Sequence, residues 1–230
     1  MTIFNYTLLK ALRNPLTLIF NCVLPILLVF IRPLWEGEGM MTGHGLLIFI
    51  VWAGTFLMAQ GILRDRESGA LTRILAAPIS MRNYLTQNLL AYMVPLTLQI
   101  MLITIMGKML YSWTATFSAG LFLALAVFTV TSVAMSFAWN CLFKTKDSSF
   151  MSFSALITFG TMLSDAFVPL EFFPDSLQYV GAIFPAWWAM RAINSLSELG
   201  TMGADFWTGI AALILFALVF LLYGGKRRMI

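Results

Sequence analysis

Phe117 to Cys141 reads FSAGLFLALAVFTVTSVAMSFAWNC, 25 residues without a charged side chain. A helical crossing of hydrocarbon needs about 20 consecutive, mainly apolar residues, so this stretch is long enough to span a membrane by itself. Working outward, similar stretches cover roughly 16–34, 46–63 and 88–107 on one side and 150–171 and 208–223 on the other. The chain of 230 residues is 60% hydrophobic and 10% charged, with a mean hydropathy of +0.87. A water-soluble core could not enclose that much apolar surface. The expected fold is therefore an all-α membrane protein with six transmembrane helices, organised as one transmembrane domain over 1–230.

The last stretch, Thr208 to Tyr223, is short for a crossing, although Phe206 and Trp207 can extend it into the interface. The first follows Lys10 and Arg13 much as a signal-peptide core would, but no clear A-x-A-like cleavage site comes after it, and it reads as a retained span. Lysine and arginine collect on the cytoplasmic side of membrane proteins. Lys10 and Arg13, then Arg64, Arg66, Arg73 and Arg82, then Lys144 and Lys146, and finally Lys226, Arg227 and Arg228 all fall on one side of the six-span arrangement, eleven of the fourteen basic residues. That predicts a multi-pass protein of the plasma (inner) membrane with both termini cytoplasmic. The net charge of +4 then calls for no nucleic acid; anionic lipid headgroups or a docked protein suffice. Cys22 and Cys141 fall at different depths and are badly placed to pair.

No phosphate loop, dinucleotide fingerprint, H-E-x-x-H helix or paired C-x-x-C is present. The single histidine, His44, lies between glycines in a short external loop, where a solvated side chain is the expected reading rather than a metal ligand. Neither catalysis nor a metal site is expected of this chain.

The loop after the second stretch, Arg64 to Ser80, carries the most information. Leu71, Ile74 and Leu75 fall at i, i+3 and i+4, which gives a short helix one apolar face, while Arg66, Glu67 and Arg73 keep the rest polar. Pro78 ends that helix and Ser80 can cap the next. On spacing alone the helix either docks on a partner or lies on the membrane.

This loop resembles the one between the second and third spans of ABC type-2 transporter permeases, where an R-E-x-G-x-L…R-L-L-A-x-P-x-S pattern is common. Here it reads Arg66-Glu67-Ser68-Gly69-Ala70-Leu71, then Arg73-Ile74-Leu75-Ala76-Ala77-Pro78-Ile79-Ser80. The resemblance implies a coupling helix that fits a cleft in an ATP-hydrolysing subunit, with Arg66, Glu67, Gly69, Leu71, Arg73, Leu75 and Pro78 at the contact. A second resemblance follows the fifth stretch, where Pro169, Pro174, Pro185 and Arg191 echo a proline-rich family segment. Asp165 stands where a Gly is frequent, and Phe184 replaces the usual Asn before Pro185. Pro174 with Asp175 can start one helix and Pro185 another, so the segment reads as two short re-entrant helices at the outer face. Residues 3–14, read as a helix, put Phe4, Leu8, Ala11 and Leu12 on one face and Tyr6, Lys10 and Arg13 on the other. The family has such an amphipathic elbow helix.

The resemblance thus implies a permease subunit of an ATP-binding-cassette exporter, paired with a second permease copy, the same chain or a close paralogue, and set in membrane lipid. ATP and magnesium would sit on a separate ATPase partner, with no cofactor in this chain. No span carries a series of ionisable residues, so an amphiphile (a drug, a peptide or a lipid-linked molecule) is expected rather than a small ion. The alternatives are a membrane-embedded enzyme or an assembly factor of lipid or envelope metabolism. Asp165 is the one acid inside a predicted span. It either reaches the outer headgroups and caps a broken helix, or faces a translocation path and external gate together with Arg32, Pro169, Pro174 and Pro185.

Overall fold

The computed structural model describes residues 2–35, 42–76 and 81–226. All regular structure among them is helical: α1 Thr2–Arg13, α2 Pro15–Leu18, α3 Leu24–Val29, α4 Gly43–Glu67, α5 Ala70–Leu75, α6 Met81–Tyr111, α7 Ala115–Asn140, α8 Lys146–Met162, α9 Asp175–Gly181, α10 Pro185–Leu199 and α11 Ala204–Lys226. Hydrocarbon offers no water to the backbone, so the helix is the economical solution for each long apolar stretch. Gly43–Glu67, Asn83–Tyr111, Ala115–Asn140 and Ala204–Gly224 are long and apolar enough to cross a membrane, and the bent pair Ile3–Arg13 with Pro15–Val29 makes a fifth if counted as one unit.

That pair bends by 79° at Asn14, because Pro15 cannot continue the ladder of α1 but suits the first position of α2. Pro25 has no N–H for the carbonyl four residues earlier. The ladder widens around it, with a π turn over Ile19–Val23 and the Leu24 N–H donating to the Ile19 carbonyl. At the far end of this stretch, Trp35 Nε1 donates to the Leu28 carbonyl at 2.9 Å and Tyr111 Oη to the Val29 carbonyl at 2.6 Å. The Val29 carbonyl is one of the orphan acceptors that a helix end leaves, while the Leu28 carbonyl also accepts from the Ile31 N–H at 3.2 Å.

The fifth apolar stretch corrects the sequence reading. Instead of one span over 150–171, α8 starts earlier, at Lys146, and stops at Met162, 17 residues long. The chain then turns through Leu163 to Pro169, with Asp165 in the left-handed region at φ +63°. Apolarity alone could not show this, because Phe167, Val168 and Leu170 are as hydrophobic as a span requires. The sixth stretch is longer than expected: α11 begins at Ala204 rather than 208.

The long helix α7 packs against α4, α6, α10 and α11. Its small residues permit close approach; Gly120, for example, faces Leu196 of α10. Thr131 Oγ1 donates to the Leu213 carbonyl of α11 at 2.9 Å. Trp52, Phe56, Phe128 and Phe153 fill the space between α4, α7 and α8. Leu215, Leu218, Val219 and Leu222 lie exposed on the outer face of α11, a surface suited to lipid and not to water.

His44 also departs from expectation. Thr42 caps α4 by accepting from the Gly45 N–H at 3.1 Å, so His44 sits in the first helical turn rather than in a loop. Its ring packs between Trp35, Trp113 and Phe117, and Nε2 is buried. Gly45 is required by its neighbour, since a Cβ there would run into the Ala166 backbone. Gly45→Ala should therefore cost about 1–3 kcal/mol as an overpacking change. Gly203→Ala meets only the Leu199 side chain and should cost much less. Thermal midpoints in detergent measure both, and equal shifts would refute the close approach.

Candidate functional site

Two polar assemblies stand at opposite ends of the helix bundle. At the end rich in basic residues, α4 runs a turn beyond its apolar core and stops at Glu67, and Gly69, with a φ of +69°, turns the chain into α5. A side chain at that φ would be strained, so the glycine of the loop motif has a backbone reason. Around this corner Asp65 is buried and takes two donors, the Lys10 ammonium of α1 and the Tyr84 hydroxyl of α6 at 2.9 Å. Thr7 Oγ1 donates to Asn88 Oδ1 at 2.8 Å, and the Phe4 N–H, an orphan donor of the first turn of α1, donates to Gln87 Oε1 at 3.2 Å. The helix α1 is thus held on α6 by polar contacts.

The seven loop residues separate into groups. Glu67 Oε1 accepts from the Lys146 N–H at the start of α8 at 2.5 Å, and Arg66 Nη1 donates to the Phe143 carbonyl at 3.5 Å. Both therefore grip the connection between α7 and α8. Leu71 is only 4% exposed and packs with Ala11, Met58, Ile62 and Tyr84, with Ile74 beside them. The apolar face of α5 is turned inward, onto the protein itself. Thr72 and Arg73 point out, and Arg73 Nη2 reaches the Ser68 carbonyl at 3.4 Å. Leu75 ends α5, and Pro78 lies outside the described residues, as does Ser80. In α1, Phe4, Leu8 and Lys10 are half-buried and Arg13 is exposed. The packed side runs through Ile3, Thr7, Lys10 and Ala11, while Leu9 and Leu12 are exposed. Lys10 turns inward because a buried carboxylate waits there.

At the opposite end, Ser164, Asp165, Leu170, Trp187, Arg191, Asn194, Ser195, Glu198 and Asp205 enclose a cavity of about 260 Å³. The left-handed backbone at Asp165 costs a non-glycine residue roughly 1–2 kcal/mol. The side chain offsets that strain locally: Oδ1 accepts from the Leu170 N–H at 3.1 Å and Oδ2 from Asn194 Nδ2 at 2.6 Å. Burial pushes the Asp165 carboxyl above its ordinary range; the hydrogen bonds from Leu170 and Asn194 pull it back, and Glu171 and Glu198 push it up again. Arg191 pairs with Asp205 at 2.8 Å and lies over the rings of Trp187 and Trp188. Pro169 and Pro174 precede the short turns of this segment and Pro185 opens α10. Arg32 is exposed in a separate turn over Arg32–Leu34 and is not a partner of Asp165.

Against this geometry, a family model described as ABC-2 family transporter protein matches residues 38–225. The chain belongs to the ABC-2 transporter family. A search of curated proteins returns no match. This ABC-2 chain is a membrane permease of an ABC transporter and a multi-pass membrane protein, and the family is one of transport components rather than enzymes. The matched region begins after α3, so α1 and the first apolar stretch stand outside it.

In this permease the residues that sequence reasoning passed over are Asp65, Thr7, Tyr84 and Asn88 at one end and Asn194 and Ser195 at the other. Asp65 had a usable signal, as an acid within one turn of an apolar run. The others are ordinary helix residues whose meaning depends on what lies across from them. Among the described residues no three His, Cys, Asp or Glu side chains come together as a metal site. Lys10→Met leaves Asp65 with Tyr84 alone, and should cost about 1–3 kcal/mol, less than a fully buried pair because Lys10 is 27% exposed. Adding Asp65→Asn should recover part of that loss. Detergent thermal midpoints of the two singles and the double test this, and additive losses would rule out a direct pair.

Proposed function

We propose that this permease forms the transmembrane path of an exporter for an amphiphilic substrate, such as a drug, a peptide or a lipid-linked molecule, driven by a separate ABC ATPase. The observation that carries the reading is the α4–α5 corner, where family membership meets a geometry suited to passing on a push. An ATPase docked on the outward residues of α5, Thr72 and Arg73, would move a short helix whose apolar side is packed on the protein. The corner's contacts would spread that motion: Glu67 and Arg66 to the start of α8, and Asp65 through Lys10 to α1 and through Tyr84 to α6. In this reading Leu71 anchors α5, Gly69 sets its angle, and Leu75 and Pro78 complete the docking segment. ATP and magnesium belong to the partner.

The same reading counts six crossings, with α2–α3 as the first and α8 as the fifth. It places α1 as an elbow helix on the inner leaflet, and α9 and α10 as re-entrant helices at the outer face. Residues 1–230 act as one permease domain, in the plasma (inner) membrane with both termini cytoplasmic, and a second permease copy completes the path. The basic end of the bundle supports this orientation through the bias of lysine and arginine toward the cytoplasm. Asp165, Pro169, Pro174 and Pro185 would shape the external gate, with Arg32 at the outer end of the first crossing.

Coupling is tested by co-purification with the ATPase and by transport. Arg73→Glu should lower the recovered ATPase about tenfold, as the loss of roughly 1.4 kcal/mol of binding would. Glu67→Ala should keep the ATPase bound but reduce transport per ATP hydrolysed. Normal binding and transport in both variants would end the coupling assignment.

Sidedness is tested by single cysteines in a protein lacking Cys22 and Cys141. Ser197 and Ser148 are both exposed on their helices. Cysteine at Ser197 should react with an impermeant thiol reagent from outside the cell, and cysteine at Ser148 only after the membrane is opened; the opposite pattern would invert the topology.

A further inference from the structure

Where the first apolar stretch meets α6, two buried amides have hydrogen bonds still to make. Gln99 of α6 is 4% exposed, and neither its Nε2 nor its Oε1 has a partner. Asn21, 2% exposed, lies in the π turn; its Nδ2 donates to the Thr17 carbonyl at 2.8 Å, and its Oδ1 has no partner. A buried hydroxyl can turn to a carbonyl of its own helix, as Thr104 Oγ1 does to Ile100 at 2.8 Å further along α6. The Gln99 amide has both a donor and an acceptor to place and places neither. In hydrocarbon each unmet group is costly. Both side chains line one cavity of about 90 Å³, together with Pro25 and Pro95, the two prolines that interrupt the helix ladders there. The unmet amide atoms have almost no surface open to that space, so a water standing in it could not reach them. What the cavity supplies is room to move.

We propose that the π turn over Ile19–Val23 is a two-state joint, and that in its second state Asn21 Oδ1 accepts a hydrogen bond from Gln99 Nε2, drawing the first stretch onto α6 and closing the cavity. The turn packs on both α4 and α6. In the arrangement seen here the Asn21 amide lies against α4, where Gly54 admits it; a Cβ on Gly54 would come within 2.4 Å of Oδ1. A π turn holds one residue more than the α-helix needs. Taking up or releasing that residue turns the neighbouring side chains by about 100° around the helix axis, which swings Asn21 from α4 toward α6 without melting the helix. Pairing meets two of the three open groups, so the second state relieves a cost that the first carries. Unmet hydrogen bonds in a native structure call for such an account, and π turns are frequent at functional sites.

The test compares Gln99→Met, Asn21→Leu and the double variant. In the purified permease, Gln99→Met removes two unmet groups at nearly constant shape, so its thermal midpoint should rise by about 2–4 °C. In nanodiscs with the ATPase bound, ATP hydrolysis should fall several-fold in each single variant and no further in the double, because either change removes the same bond. A residue that only packs would not raise stability and lower activity together. A lower midpoint in Gln99→Met, full hydrolysis in the single variants, or losses that add in the double each overturn the proposal, the last by assigning the two amides to separate partners. Where Asn21→Leu fails to fold, Gln99→Met decides alone: a higher midpoint with reduced hydrolysis supports the joint, and any other pair of results sinks it. The hydrolysis readout rests on the coupling reading above, which the wild-type complex tests separately. Failure of that complex to form would end the coupling assignment, while the midpoint of Gln99→Met would still decide here.

Discussion

A backbone N–H or C=O in hydrocarbon has no water to turn to, and this requirement governs the whole molecule. Long apolar stretches answer it by becoming helices. Wherever a helix ends or breaks, a side chain has to take over the abandoned groups. Thr42 and Thr114 accept from the first turns of α4 and α7, and Trp35 and Tyr111 donate to the last carbonyls of α3. Glu67 accepts from the start of α8, and Asp165 accepts from Leu170 after α8 has stopped. Side-chain partners of this kind therefore stand at each of these breaks.

The two ends use the requirement differently. At the basic end the patches also connect elements, because one carboxylate, Asp65, joins α1, α4 and α6, and Glu67 joins α4 to α8. A displacement of that corner confined to one helix would break these contacts, among them the buried Tyr84–Asp65 hydrogen bond, which is expensive to leave unmade. At the opposite end the patches enclose space. The chain between α8 and α10 is held by hydrogen bonds to a strained Asp165, and leaves beside it an acidic cavity. Backbone strain of this kind is commonly found at functional sites.

The two readings of the α5 helix show the limit of periodicity. Leu71 and Ile74 do share a face, as their spacing says, but that face packs on Ala11, Met58 and Tyr84 instead of awaiting a partner. Spacing states that a face is apolar and is silent on what covers it. Position in the sequence misleads in the same way at His44: between glycines it suggests a loop, yet Thr42 starts a helix just before it and three aromatic rings close around it.

From its sequence alone this protein is a helical membrane protein, since the length and apolarity of its stretches respond to the thickness of hydrocarbon and to nothing else in the fold. The loop motif around Glu67 and Gly69 likewise carries the family, because a left-handed glycine and a short amphipathic helix are local properties. Proline positions marked the starts of α9 and α10 for the same reason. Only the tertiary structure decided where α8 stops, since its continuation is equally hydrophobic and the break depends on Asn194 and Leu170 meeting Asp165. Only the tertiary structure brought Lys10 to Asp65 across 55 residues, and Ser195 to an acidic cavity. Hydrogen bonds and charge pairs between distant segments leave no periodic trace along a chain, so their partners become visible only when the helices are packed.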